Sequence, residues 1–352
     1  MRIEVLSSRA PSGLEERRTG CHTAGMISLV TGGTGYFGGH LVQVLLDAGD
    51  EVRVLHRRGS DVSCLPGTVV LCEGDITQPQ SLEKAALGCD RIFHSAALVK
   101  NWARNPSLFD RINVEGTLHV CQTARRLGCR LIYTSSFFAL GPTGPHPVRE
   151  NHQRATLSYC TDYERTKSQA LQRVRKEIEG GLEGIILYPG MIYGPGPLTQ
   201  GNFIGGMARD MRQRRMPGLP GDGQQKITLA YIDDVAAGHL AAAEKGLPGR
   251  DYILGGPVAT IEEVCAILGR LLEVKPPSFR IPIGVLKGLG WVSVQVARAA
   301  GISPQITPGV AETLRHHWAY DSSRAAGEIG YRMRPIEEGL SEVVRYIRAF
   351  AD

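Results

Sequence analysis

The sequence has little that would support a disulfide framework or a metal centre. Its eight cysteines form no CxxC pair and show no Cys/His spacing typical of metal ligands. They are Cys21, Cys64, Cys72, Cys89, Cys121, Cys129, Cys160 and Cys265. Several lie in apolar strand or helix patterns, where a free thiol behaves as a small hydrophobic side chain. We therefore expect a protein of the cytoplasm with no disulfides and no bound metal.

The sequence also lacks an apolar run of the roughly 18 residues that a membrane-spanning helix needs. The nearest candidate, residues 281–300, is interrupted by Lys287, Ser293, Gln295 and Arg298. This broken pattern favours a helix of the core or of a pocket, with contact to a membrane surface as the alternative.

Basic side chains are scattered along the chain, apart from two short clusters at 56–58 and 212–215. The formal net charge is only +5, from 40 basic and 35 acidic residues, which is too small to indicate nucleic-acid binding. Residues 1–25 mix arginines with glutamates and contain no apolar core, so they match neither a transit peptide nor a secretory signal well. We expect a disordered extension or an upstream start codon there, with organelle targeting as the weaker alternative.

From Met26 onwards, short apolar segments alternate with helical patterns. Strands are predicted at 26–30, 51–55, 68–72, 91–94, 130–134, 184–188 and 251–254, and helices at 36–48, 80–87, 107–127, 159–180, 234–245 and 260–272. Such alternation predicts an α/β fold with a doubly wound parallel sheet, and the purely apolar strands fit a sheet that is buried on both faces.

The spacing of prolines changes after Pro189 and predicts a second region with many loops. We expect a nucleotide-binding domain at 26–190 and a smaller, irregular C-terminal substrate lobe at 191–352, with 226–250 returning to the first domain. A ligand is expected at the carboxyl edge of the sheet, between the two.

The stretch Thr31–Gly38, TGGTGYFG, follows the first predicted strand and precedes the first predicted helix. Gly32, Gly35 and Gly38 give TGxxGxxG, and Gly33 with the last two gives GxGxxG. In this strand–turn–helix setting, the glycines allow a tight turn and let a pyrophosphate approach the backbone at the start of the helix. The stretch therefore predicts a dinucleotide site.

The residues after the second strand indicate which dinucleotide is bound. An NAD-specific enzyme typically has a carboxylate here for the ribose 2′-hydroxyl. This chain instead has His56, Arg57 and Arg58, and no acidic residue until Asp61. A guanidinium can bind a 2′-phosphate through two hydrogen bonds, so NADP(H) is favoured over NAD(H).

Two further segments contain residues suited to acid–base chemistry. Tyr163 and Lys167 are four residues apart on a predicted helix and therefore share a face. An ammonium beside a phenol favours the phenolate, which predicts a lowered pKa for Tyr163. Ser135 and Ser136 follow the strand at 130–134, where a hydroxyl can bind a carbonyl or alcohol oxygen in the ligand crevice.

Taken together, these motifs resemble the short-chain dehydrogenase/reductase superfamily. The resemblance depends on TGGTGYFG, the serine pair, and a YxxxK motif that begins 27 residues after Ser136. Residues 188–196 and 231–236 resemble its extended branch, which is similar to NAD-dependent epimerases and dehydratases. Within that branch, the chain is most similar to the dihydroflavonol 4-reductase and 3β-hydroxysteroid dehydrogenase group. This resemblance implies a Rossmann domain.

The resemblance also implies roles for individual residues. Tyr163 would donate or accept the proton, Lys167 would bind the nicotinamide ribose, and Ser136 would bind the reacting oxygen, with Ser135 as the alternative. Asn113 would support a water relay. With the two arginines, the expected cofactor-binding residues are Gly32, Thr34, Gly35, Tyr36, Phe37, Gly38, Arg57, Arg58, Asp75, Ile76, Ala96, Ala97, Lys167, Pro189 and Gly190.

Departures from the pattern of nucleotide-sugar enzymes indicate the substrate class. Ser95 stands where Gly or Ala is common, Phe137 and Phe138 follow the serine pair, and residues 188–191 (YPGM) contain neither Arg nor Asn. These departures favour a small apolar or aromatic substrate, although both phenylalanines could equally be core residues.

We therefore expect an NADP(H)-dependent oxidoreductase that transfers hydride to or from a hydrophobic ketone or secondary alcohol, such as a dihydroflavonol, steroid or terpenoid. The alternative is an NAD-dependent nucleotide-sugar epimerase or dehydratase, and a catalytically silent NADP(H)-sensing or scaffold protein is less favoured. The resemblance also implies a homodimer through the helices at 107–127 and 159–180, whose apolar positions could instead all pack on the sheet.

Overall fold

The computed structural model describes residues 25–155, 158–304 and 306–350. Apart from residue 25, the extension predicted at 1–25 lies outside the described residues. The strands are β1 Ile27–Thr31, β2 Glu51–His56, β3 Val70–Glu73, β4 Arg91–His94, β5 Arg130–Thr134, β6 Gly184–Pro189, β7 Met191–Tyr193, β8 Leu219–Pro220, β9 Lys226–Tyr231, β10 Asp251–Leu254, β11 Val258–Thr260 and β12 Arg280–Ile281.

Helices cover both faces of the main sheet and build most of the C-terminal region. They are α1 Tyr36–Asp47, α2 Pro79–Ala86, α3 Ser107–Phe109, α4 Thr117–Leu127, α5 Phe137–Leu140, α6 Asp162–Glu179, α7 Phe203–Arg212, α8 Ile232–Lys245, α9 Ile261–Leu272, α10 Ile283–Ala300, α11 Pro308–Thr313, α12 Ser323–Ile329 and α13 Ile336–Phe350. Among the residues described, none of these helices is both long and apolar enough to cross a bilayer.

Seven parallel strands form the main sheet in the order β3-β2-β1-β4-β5-β6-β10. Strand residues such as Leu29, Ile132 and Ile185 are fully buried because helices cover both faces. The predicted doubly wound parallel sheet is thus confirmed. The chain order reverses beside β1 and β4, and in sheets of this kind a ligand binds at the carboxyl ends of the strands next to such a reversal.

The helix predicted at 107–127 is not a regular α-helix. Between α3 and α4, residues Asp110–Gly116 form a π-helical segment, a local widening that is frequent at functional sites. At its end, the Thr117 hydroxyl donates to the carbonyl oxygen of Asn113 at 2.7 Å. Gly116 has no side chain here because a Cβ atom would lie 2.8 Å from Cδ1 of Ile76. The segment can therefore approach the loop after β3 closely.

The region after β6 contributes to both parts of the molecule. β7, β9 and β11 form a separate three-stranded sheet, while α8 packs against α1 and β10 pairs with β6 in the main sheet. α10 packs against α11, and α7, α9 and α13 pack together. The residue ranges given above for the two lobes stay predictions.

Candidate active site

The glycine turn between β1 and α1 is shaped for close approach of a ligand. Gly32 has a left-handed φ of +82°, and a Cβ atom there would lie 2.6 Å from the backbone nitrogen of Ala96. A Cβ atom on Gly38 would lie only 2.0 Å from the carbonyl oxygen of Gly32. Gly35, at the N-cap of α1, offers no side chain to the first turn, so the N–H groups there are available to a pyrophosphate. The residues present therefore fit a dinucleotide.

A cleft of about 550 Å³ extends from this turn along the carboxyl ends of the strands. It brings together most of the residues that the sequence predicted for the site. Those that line it are Gly32, Thr34, Gly35, Tyr36, Phe37, Gly38, Arg57, Asp75, Ile76, Ala96, Ala97, Ser136, Tyr163, Lys167, Pro189 and Gly190. Of the remaining predicted residues, Arg58 and Asn113 are not among those that line the cleft.

The residues that follow β2 form the wall of the cleft that would contact the 2′-hydroxyl or 2′-phosphate of a dinucleotide's ribose. His56, Arg57 and Ser60 line the cleft there, whereas Arg58 is exposed outside it. The nearby carboxylate of Asp75 accepts hydrogen bonds from the N–H and the hydroxyl of Thr77, both at 2.8 Å. Arg57 therefore brings a positive charge to the cleft after β2, and Asp75 brings a negative one after β3.

At the opposite end of the cleft, Ser136, Tyr163 and Lys167 converge. Ser136 is the N-cap of α5, where its hydroxyl accepts a hydrogen bond from the backbone N–H of Phe138 at 3.2 Å. The Ser136 side chain also acts on Tyr163, because it lowers the pKa of the Tyr163 phenol. Ser135 lines the cleft too but has no such effect on Tyr163, so Ser136 is the better candidate to hold a reacting oxygen.

The prediction that Lys167 lowers the pKa of Tyr163 is wrong. Burial raises the pKa of the Tyr163 phenol to about 12, and the hydrogen bond with Ser136 opposes this only in part. The reason is burial of both groups, because Lys167, whose Nζ atom lies 6.0 Å from the centroid of the Tyr163 ring, has its own pKa lowered to about 7 and so carries only part of its positive charge near neutral pH. Tyr163 is therefore a neutral phenol at pH 7, which suits proton donation.

Lys167 is unusually well buried for a lysine. Its side chain is 4% exposed, and Nζ donates to the carbonyl oxygen of Thr134 at 3.0 Å. Burial lowers the pKa of Lys167 to about 7. A buried amine that loses its charge near neutrality at the floor of a cleft is typical of a functional site rather than of a stabilising contact.

Asn113 lies behind the cleft wall in the π-helical segment. Its Oδ1 atom accepts from the N–H of Leu98 at 2.7 Å, and its Nδ2 atom donates to Oγ1 of Thr166 at 3.1 Å. Asn113 thus ties the loop after β4 to α6, the helix that carries Tyr163 and Lys167. These contacts fit a positioning residue, and the water relay stays a prediction.

The substrate end of the cleft is mostly apolar. The ring of Phe138 meets Tyr163 edge-on at 6.1 Å and Trp318 at 4.6 Å between centroids, whereas Phe137 is 2% exposed and belongs to the core. Phe137 lines the cleft as well, so both phenylalanines face it and Phe137 is also part of the core. The remaining apolar residues of this wall include Val99, Met191 and Phe203.

The sequence analysis missed several residues that shape the substrate end of the cleft. Val99 and Phe203 lie in or beside loops, and the backbone N–H of Asn101 donates to Oε1 of Gln200 at 2.8 Å across the mouth. A buried ion pair also braces α6, with Arg154 Nη2 at 2.7 Å from Glu164 Oε1. Loop positions of this kind carry no sequence periodicity, and Asp162 and Glu164 both flank Tyr163, so the sequence does not show which of these acids forms the buried pair.

Comparison with known proteins places the chain in a family. The model of the NAD dependent epimerase/dehydratase family matches residues 28–255. The sterol demethylase protein B of Methylococcus capsulatus is 32% identical over 92% of this chain and 98% of the relative. The putative dihydroflavonol 4-reductase of Synechocystis is 29% identical over 91% of this chain and 94% of the relative.

A solved structure agrees with these relatives. The crystal structure of gox2253 superposes on this chain with a TM-score of 0.79, and the two sequences are 30% identical. The match covers 92% of this chain and 98% of the gox2253 chain. The chain belongs to the NAD dependent epimerase/dehydratase family, and it is an NAD(P)-dependent enzyme of the extended short-chain dehydrogenase/reductase type that acts on CH–OH groups. The resemblance seen in the sequence is thereby confirmed.

Proposed function

We propose that this protein is an NADP(H)-dependent oxidoreductase that interconverts a hydrophobic ketone and its secondary alcohol. The observation that carries the proposal is the cleft itself, which joins the glycine turn and Arg57 at one end to Ser136, Tyr163 and an apolar wall at the other. The names of the two relatives, a sterol demethylase protein and a dihydroflavonol reductase, support an apolar or aromatic substrate of steroid, flavonoid or terpenoid type.

The dinucleotide would be held along the length of the cleft. The glycine turn and the start of α1 would bind its pyrophosphate, while Asp75 and Ile76 would contact the adenine. Ala96 and Ala97 would line its path toward the nicotinamide ribose on Lys167, beside Pro189 and Gly190. When bound, the nicotinamide supplies or accepts the hydride.

The chain's own residues would manage the oxygen and its proton. Ser136 would hold the substrate oxygen by a hydrogen bond, in the orientation that lets the Tyr163 hydroxyl reach it. In reduction, Tyr163 would donate its proton to the oxygen as the carbonyl becomes an alcohol. In oxidation, the deprotonated Tyr163 would accept that proton, so the oxidation rate is expected to rise with pH because the pKa of Tyr163 is raised to about 12.

Cofactor preference tests this proposal through two neighbouring arginines. We expect Arg57→Ala to weaken NADPH binding about 10- to 100-fold and to leave NADH binding nearly unchanged, because one charge-assisted contact to a phosphate is worth about 1.5–3 kcal/mol. Arg58→Ala is the matched control, since Arg58 is exposed and outside the cleft. Calorimetric titration with both nucleotides measures the effect, and equal affinity of the wild type for NADPH and NADH would contradict the role of Arg57.

The same preparation distinguishes the alternative function. Membership of this family is compatible with a nucleotide-sugar epimerase or dehydratase, which would regenerate its cofactor in each cycle. A reductase consumes NADPH in proportion to ketone reduced, so loss of nicotinamide absorbance with apolar ketones supports our proposal. Conversion of a nucleotide sugar without net absorbance change would favour the epimerase, and no turnover with either class would favour the silent sensor.

The homodimer stays a prediction. The exposed positions of α4 and α6 are polar or charged, including Gln122, Arg126, Gln172 and Arg173. A dimer through these helices would therefore be a polar interface, which we propose to test by light scattering at several salt concentrations.

A further inference from the structure

α10 is fixed to the rest of the protein by one face only. Its buried residues are Leu286, Gly290, Val294 and Ala297. Gly290 allows close packing there, because a Cβ atom would lie 2.6 Å from the carbonyl carbon of Thr307 just before α11. The expectation of a core or pocket helix therefore holds for this face and fails for the remainder of the helix.

A different face of α10 is apolar and uncovered. Val285, Leu289, Val292 and Val296 follow one another at spacings of four, three and four residues, so they form a single stripe along the helix. All four side chains are more than half exposed, as is the adjacent Trp291. We call these five residues the α10 stripe. A surface helix of a globular protein normally places polar residues in such positions, so the stripe requires an apolar partner.

The charges on α10 itself are of one sign, Lys287 and Arg298, although Lys287 pairs with Glu312 of α11 at 3.0 Å. α10 contains no carboxylate between residues 283 and 300, and its end is flanked by the exposed cations Lys100, Arg104 and Arg298. The Arg104 guanidinium donates to the carbonyl oxygen of Arg298 at 3.4 Å, which places the loop after β4 beside the end of α10. None of the three cations forms an ion pair within the part of the chain that the structure describes.

We propose that the α10 stripe docks into the interfacial layer of an anionic lipid bilayer, with these three cations on the lipid headgroups. An apolar helical face with a tryptophan and a basic border suits a helix that lies in the plane of the interface. A helix of 18 residues is about 27 Å long and can lie flat in that layer without crossing it. The complementary charge of anionic headgroups favours a bilayer over a second copy of this chain, whose corresponding surface would carry the same cations.

This docking would also bring the cleft to the membrane. Val99 and Lys100 line the mouth of the cleft and belong to the same loop as Arg104. An apolar ketone or alcohol dissolved in lipid could then enter the cleft directly, a consequence that rests on the proposed function. The docking itself does not depend on it, so both can be tested separately.

Sedimentation with vesicles tests the docking without substrate or cofactor. The full chain is mixed with vesicles of phosphatidylcholine, with and without phosphatidylglycerol. We expect binding to the anionic vesicles, weakened about tenfold or more in Val285→Gln/Leu289→Gln/Val292→Gln because the buried apolar area is lost. The matched control is Leu87→Gln/Leu247→Gln, which replaces two exposed leucines outside α10 and is expected to bind like the wild type.

A charge variant tests the basic border. Arg104→Gln/Arg298→Gln is expected to reduce binding to the anionic vesicles about tenfold and to leave the weak binding to neutral vesicles unchanged. Equal binding of the wild type to both kinds of vesicle would overturn the part assigned to the cations.

Fluorescence gives a second readout that does not depend on a multiple variant. Trp291 is 61% exposed, so lipids brominated on their acyl chains are expected to quench it on binding, and Trp291→Phe is expected to lose most of that quenching. Absence of both sedimentation and quenching in the wild type would overturn the proposal. A second contrary result is a wild type that fails to bind vesicles and instead forms a dimer, which the triple glutamine variant abolishes. That result would assign the α10 stripe to a second copy of the chain and would also overturn the docking proposal.

Discussion

Replacement of Tyr163 by phenylalanine is expected to lower kcat about a thousandfold. The change removes only the hydroxyl and keeps the ring that meets Phe138 edge-on, so the wall of the cleft is preserved. Proton transfer by a positioned side chain contributes roughly 10²- to 10⁴-fold to a rate, and in the proposed mechanism Tyr163 is the one residue that transfers a proton to the substrate oxygen. The rate of NADPH oxidation with the best apolar ketone measures the loss.

The controls separate loss of chemistry from loss of structure. Calorimetric NADPH affinity of Tyr163→Phe should stay within a few-fold of the wild type, because the groups proposed to hold the phosphates, the glycine turn and Arg57, are unchanged in this variant. Tyr159→Phe is the matched variant, since the Tyr159 hydroxyl donates to Oγ of Ser168 at 3.4 Å and Tyr159 does not line the cleft. If Tyr163→Phe kept a tenth or more of the wild-type kcat, Tyr163 could not be the proton donor.

Much of the fold could be predicted because its signals are local. The alternating apolar segments placed the sheet and its flanking helices, although β3 begins at Val70 and not at residue 68, and α6 begins at Asp162 and not at residue 159. The later start of α6 has a local cause, since the Thr161 hydroxyl accepts from the N–H of Glu164 and so caps the helix there.

The pKa values of the site residues were harder to predict from the sequence than the identity of those residues. The YxxxK spacing predicts that Tyr163 and Lys167 share a face, but the pKa of each depends on burial by strands that are distant in sequence. Lys167 donates to the carbonyl oxygen of Thr134 at the end of β5, and the spacing of residues within α6 cannot predict a contact with another element. The sign of the shift at Tyr163 was therefore predicted wrongly even though the residue lies in the cleft.

The apolar face of α10 shows a related limit. A run of apolar residues indicates burial, but it does not distinguish burial in the core from exposure to a partner. Packing of Gly290 against the segment before α11 decides which face turns inward, and it leaves Val285, Leu289 and Val292 outside.

Replacement of Lys167 by methionine is expected to lower kcat/KM about a hundredfold while making the protein more stable. The loss of activity follows from the role proposed for Lys167, which is to anchor the nicotinamide ribose. The gain in stability follows from burial, because methionine fills a similar volume without a charge that must leave water. Opposite effects of one substitution on activity and stability are typical of residues kept for function.

The pH dependence identifies the cause of this gain. Burial lowers the pKa of Lys167 from 10.5 to about 7, so the unfolded chain binds one more proton than the folded protein between these values. The charged lysine therefore destabilises the fold fully below pH 7, progressively less as the pH rises, and not at all above about 10.5. Chemical unfolding of Lys167→Met should show a free energy of unfolding on the order of 2 kcal/mol above wild type at pH 7, after the lost bond to Thr134 is subtracted. Lys176→Met, an exposed position on the same helix, should show no such gap, and a gap for Lys167→Met that widened with rising pH would contradict the assignment.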